Sequence, residues 1–146
     1  VRGFRAALVV LGLAAPAAGQ EVAPFVVSGD AVAAPLGGLT GSAERGARIV
    51  RNRETANCLI CHTIPDPAET FMGEVGPLLA GVGARLTPGQ IRLRVIDPTL
   101  ANPAAVMPAY HRVAGLAHVD ERWRGRPVLS AQEIEDVVAY LSALKE

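Results

Sequence analysis

The sequence predicts a mostly α-helical domain, and three observations predict it. Two helix-start patterns occur, Thr87-Pro88-Gly89-Gln90 and Ser130 followed by Glu133, each a capping box in which side chain and backbone satisfy each other at a helix N-terminus. After the second, Ile134, Val137, Val138, Leu141 and Leu144 recur at helical spacing. No segment shows a convincing alternation of apolar and polar residues, and nothing repeats.

In chain order, residues 1–19 read as an export signal. Arg2 and Arg5 supply the positive region, Ala6 to Ala15 the apolar stretch, and small residues through Gly19 the approach to a cleavage site. The apolar stretch is shorter than the roughly 20 residues a bilayer anchor needs. Residues 20–41, rich in Ala, Gly, Val and Pro, read as an extended arm, and 42–146 as the folded domain. Ser42 is an N-cap with Glu44 in the first turn, opening a helix expected to run through Ala47, Ile49 and Val50 to Cys58. Three prolines and four glycines make 63–85 a loop. Leu86 and Ile91 are spaced to staple the Thr87 cap, and the helix it starts stops near Asp97, ahead of Pro98. Residues 98–129 are irregular, broken by Pro98, Pro103, Pro108 and Pro127.

The chain has 146 residues, 14 basic and 14 acidic; beyond residue 19, 12 basic face 14 acidic. That balance speaks against nucleic-acid binding, which calls for a basic excess. The two cysteines stand together as Cys58-Leu59-Ile60-Cys61-His62. C-x-x-C-H is the attachment signature of c-type haem. The two thiols on one helical turn add to the two vinyl groups, and the adjacent imidazole reaches the iron. A thioredoxin-like pair would want a βαβ context, and a zinc site would want more paired ligands than His111 and His118 offer. A haem also answers a problem of composition. Half the residues are hydrophobic but only 4% are aromatic, so the core needs bulk from elsewhere.

The order of these features resembles a class I cytochrome c: a leading helix into the haem motif, Gly76-Pro77-Leu78-Leu79, a Met-Pro, and an amphipathic C-terminal helix. The resemblance implies N- and C-terminal helices packed around a covalently bound haem, crossing closely at Gly46 and Tyr140. It implies a Pro77 carbonyl that receives the haem-bound His62, and Arg85 near a haem propionate. Asn52-Arg53, Val106-Met107-Pro108-Ala109-Tyr110, Trp123-Arg124-Gly125-Arg126-Pro127-Val128-Leu129 and Ile134 to Leu141 further resemble the SoxX family. That family supplies the monohaem subunit of bacterial thiosulfate-oxidising complexes. It implies a periplasmic heterodimer with a SoxA-type haem subunit, a transient sulfur-carrier protein whose cysteine receives thiosulfate, and a downstream electron acceptor.

Four side chains compete for the sixth iron position. Met72 lies on the loop leading to Pro77, His118 in a polar stretch beside Asp120, and His111 and Met107 on the irregular segment. Met107 precedes a proline, as in the family, and is the expected ligand. His/Met ligation leaves no open position and suits electron transfer. With both cysteines committed to haem, no nucleophile remains for sulfur chemistry, so the catalytic site is expected on a partner. The rival reading is a free monohaem carrier. A single lysine, Lys145, speaks against it, because such carriers often dock through lysine rings.

Overall fold

The computed structural model describes residues 21–146; the expected export signal lies outside them. Four α-helices, α1 (Ala43–Arg51), α2 (Val82–Arg85), α3 (Pro88–Ile96) and α4 (Ala131–Ala143), are joined by turns and four short 3-10 segments. Among the described residues there is no strand, only an isolated bridge between Ser28 and Ala31.

Both capping boxes form. Thr87 and Ser130 accept from the backbone N–H groups of Gln90 and Glu133, whose side chains return the bond. Helix α3 ends at Asp97, as Pro98 requires. Helix α1 is shorter than expected. It stops at Arg51 because the Asn52 side chain accepts from the N–H groups of Glu54 and Thr55, offering the backbone a turn in place of further helix. Residues 63–85 are not all loop either, since Val82–Arg85 closes one helical turn.

Helices α1 and α4 cross at Gly46. A Cβ there would overlap the Asp136 carbonyl and the Tyr140 side chain, so only glycine permits the approach. Arg45 braces the crossing with a bidentate pair to Asp136, both contacts at 2.7 Å. Burial works to raise the Asp136 carboxyl, but Arg45, the Ser42 N–H and Gln132 outweigh it and hold it below the ordinary carboxylate range.

The arm is part of the fold. Val32 and Leu36 are 1% exposed and belong to the main hydrophobic cluster. Arg92 on α3 and Glu135 on α4 form a buried two-point ion pair at 2.8 Å. The arm satisfies the remaining groups: Arg92 also donates to the Val32 carbonyl, and Glu135 accepts from the Leu36 N–H. With its spare donors and acceptors paired in this way, the ion pair avoids the cost of a half-satisfied buried charge.

Candidate haem centre

One predominantly apolar cavity of about 660 Å³ opens between the helices. Cys58, Cys61, His62, Pro77 and Met107 all line it. Of the six residues expected at one site, the fold brings together these five, from the haem motif, the Pro77 loop and the Met107 segment.

The wall that carries His62 is built from a tight turn. Asn57 takes a left-handed conformation (φ 47°), which reverses the chain into the 3-10 segment Cys58–Ile60. The N–H groups of Cys61 and His62 both bond to the Cys58 carbonyl, so thiols and imidazole sit on one helical turn. The next segment runs alongside, with Gly73, Gly76 and Leu79 donating to Leu59, Cys61 and Thr63. This register brings the Pro77 carbonyl 2.7 Å from His62 Nδ1. A carbonyl only accepts, so Nδ1 carries the proton and Nε2 keeps its lone pair. Gly76 packs against the ring so closely that a Cβ would overlap it.

Burial pushes the Cys58 thiol up to about 11. A redox dithiol depends on a depressed thiol pKa, so this environment opposes the thioredoxin-like reading. Among the described residues no group of three or more His, Cys, Asp or Glu side chains forms a metal cluster, which removes support for a zinc site.

Met107 lies on the second wall, in the irregular segment. Its position is set just downstream, where Tyr110 and His111 donate backbone N–H groups to Val95 and Ile96 of α3. The Tyr110 hydroxyl donates to the Ala56 carbonyl at 2.8 Å, tying the two walls together. Burial raises this phenol above its ordinary range, so it remains a neutral donor.

The other three candidates for the sixth position are engaged or elsewhere. His111 is 1% exposed; its Nδ1 donates to the Leu129 carbonyl at 2.7 Å and its Nε2 accepts from the Ala23 N–H at 2.9 Å. Both ring nitrogens are thus occupied, and this histidine fastens the arm. Met72 packs against the core, its sulfur accepting from the Ile64 N–H, and does not line the cavity. His118 lines a separate cleft of about 330 Å³ with Trp123 and Arg124.

Arg85 is used differently from the expected contact with a propionate. Its guanidinium donates to the carbonyls of Leu78 and Ala80, 2.8 and 2.6 Å away, and is not among the groups lining the cavity. It shapes the loop that carries Pro77. The arginine among the residues lining the cavity is Arg94, which sequence reading passed over; its guanidinium donates to the Gln90 carbonyl at 3.0 Å and pairs with Asp30. Its signal was faint: one arginine on α3 beside Ile91 and Val95, both of which also face the cavity.

The donor set fits a covalently held haem. Two thiols, an imidazole with a fixed tautomer and a thioether border one space whose remaining walls are mainly aliphatic. The bulk missing from this aromatic-poor core corresponds to that space.

Residues 43–145 match the family model described as cytochrome c. Comparison with curated proteins gives no match. Among solved structures, a chain of the SoxXA crystal structure from P. pantotrophus is similar, with 38% sequence identity and a TM-score of 0.78. The match covers 86% of this chain and 99% of that one.

Proposed function

The chain belongs to the cytochrome c family, and we propose that it is the electron-transfer haem subunit of a periplasmic sulfur-oxidising complex. It would accept electrons while thiosulfate is oxidatively coupled to a cysteine of a sulfur-carrier protein. The observation that carries this reading is the similarity to a SoxXA chain over nearly that chain's whole length. The SoxX-like segments from Asn52 to Leu141 are spread over the same region.

Haem c, one per chain from the single C-x-x-C-H, supplies a one-electron iron couple when bound. Cys58 and Cys61 would hold it covalently, and His62 would ligate its iron. The Pro77 carbonyl orients the imidazole and strengthens it as a donor. Met107 would supply a second iron ligand, whose soft sulfur would favour the reduced state relative to a second histidine. Arg85 acts through the loop that carries Pro77, by its bonds to the Leu78 and Ala80 carbonyls. With both iron ligands drawn from this chain, its role would be electron transfer and not bond-making. Cys58 and Cys61 are its only cysteines, so the sulfur chemistry falls to a SoxA-type haem subunit bound as a heterodimer. Electrons then pass to a downstream acceptor. Residues 1–19 direct export and are removed. No helix among the described residues is long and apolar enough to cross a membrane.

The test mixes the purified protein with a SoxA-type subunit and the sulfur carrier, then follows thiosulfate-dependent haem reduction. Reduction is expected with the full set and not with this chain alone. Thiosulfate turnover by the isolated chain, or a partner lost at physiological salt, would contradict the bound-subunit reading and favour a free carrier.

A further inference from the structure

Helix α2 is a single turn of four residues, too short to hold its own shape in water. Val82 seats it among the residues that line the haem cavity. Its next residue, Gly83, is gripped by the segment that follows α4. The Gly83 N–H donates to the Leu144 carbonyl at 2.8 Å, and the Gly83 carbonyl accepts from Lys145 Nζ at 2.7 Å. Beside it, the Gly81 N–H donates to the backbone oxygen of Glu146 at 2.6 Å. Gly83 also lies so near the Leu141 and Ser142 carbonyls that a Cβ would overlap them. Residues 144–146 thus form a clasp on α2, and its side-chain member is Lys145, the single lysine of the chain.

What α2 carries gives the clasp its consequence. Arg85, its last residue, donates to the Leu78 and Ala80 carbonyls, 2.8 and 2.6 Å away. Those carbonyls follow directly on Pro77, whose own carbonyl lies 2.7 Å from His62 Nδ1. The N–H groups of Gly76 and Leu79 tie this loop to Cys61 and Thr63, while Arg85 takes its carbonyls. Arg85 can fix the loop only as firmly as α2 is itself fixed. A bond from a charged donor is among the stronger ones a carbonyl makes, so Lys145 is well suited to that task.

We infer that Lys145 is a positioning residue for His62. By clasping α2 it holds Arg85, and with it the Pro77 loop, at the setting in which the Pro77 carbonyl meets the imidazole. This concerns the haem site alone and is independent of the partner the chain serves.

The holoprotein variants Lys145→Met and Lys145→Arg test it. Methionine keeps an apolar stem and removes the donor, whereas arginine restores a charged donor. The first readout is solvent exchange of the His62 Nδ1 proton, followed by NMR, because the bond to Pro77 protects that proton. Exchange should quicken at least about fivefold in Lys145→Met and return toward the wild-type rate in Lys145→Arg. The reduction potential should rise in Lys145→Met, since a less firmly bonded imidazole is a weaker donor to ferric iron, and should recover in Lys145→Arg. Asp136→Asn controls for stability, because it weakens the α1–α4 brace and should leave both readouts at wild-type values. Unchanged exchange in Lys145→Met, or equal quickening in Asp136→Asn at a matched loss of Tm, would overturn the inference. A His62 proton resonance unshifted by iron would contradict His62 ligation on its own, and the exchange rates would still decide for Lys145.

Discussion

On the wall that carries His62, the fixing contacts fall on that histidine and its immediate neighbours, whereas the wall that carries Met107 is fixed from three and four residues downstream. His62 is held by the Pro77 carbonyl, enclosed by Gly76 and set on the same turn as both cysteines. Met107 follows Tyr110 and His111, which are sewn to α3, Leu129 and Ala56. The first wall is preorganised at His62 itself and the second by leverage. Disturbances should therefore report on different ligands.

The largest effect is expected where the first wall meets the cofactor. Cys58→Ala with Cys61→Ala should leave no haem stain on the polypeptide after acid-acetone extraction and no stably folded product. The core would lose covalent haem and with it most of its large-ring bulk. Next, Gly76→Ala drives a methyl into the His62 ring and should cost about 3 kcal/mol, the upper range for overpacking. Denaturant unfolding of the holoprotein measures the loss, and a shifted reduction potential would show that the proximal bond is affected.

His111→Ala probes the second wall. It leaves the Ala23 N–H and the Leu129 carbonyl without their partner and should cost about 2 kcal/mol. The comparison predicts more than lost stability. With its downstream anchor loosened, Met107 should yield to added imidazole at lower concentration than in the wild type, while Gly76→Ala should not produce that change at equal stability. Equal imidazole binding in wild type and His111→Ala would break the comparison.

The smallest effect lies in the frame behind both walls. Asp136→Asn weakens the α1–α4 brace and should lower Tm by a few degrees at neutral pH, without altering the haem spectrum. Because the Asp136 carboxyl is held below its ordinary range, its stabilisation is present above about pH 4 and drains away as pH falls further. The Tm difference between wild type and variant should accordingly shrink in acid.

What could be read from the sequence was what depends on near neighbours. The caps at Ser42, Thr87 and Ser130, the stop before Pro98 and the C-x-x-C-H turn each involve residues within a few positions of one another. The early end of α1 was also local, but it turned on a competition: Asn52 could continue the helix or bond to Glu54 and Thr55, and the second option won. Arg85 and His111 eluded the reading for a different reason. Arg85 looked toward the cofactor because its position matched a family pattern, yet the nearest unsatisfied groups were the carbonyls of its own preceding loop. His111 looked like a candidate ligand until the arm, 88 residues away in sequence, supplied a donor to its second nitrogen. Such long-range pairings leave no trace in spacing or composition.

The central claim is that Met107, from the wall fixed at a distance, completes an iron site begun by His62. The most direct measurement is the weak absorption band near the red end of the visible spectrum that a thioether–iron bond gives the oxidised protein. The account predicts this band in the wild type and in Met72→Ala, and its loss in Met107→Ala together with a lowered reduction potential. A band that survives in Met107→Ala and disappears in Met72→Ala would contradict it.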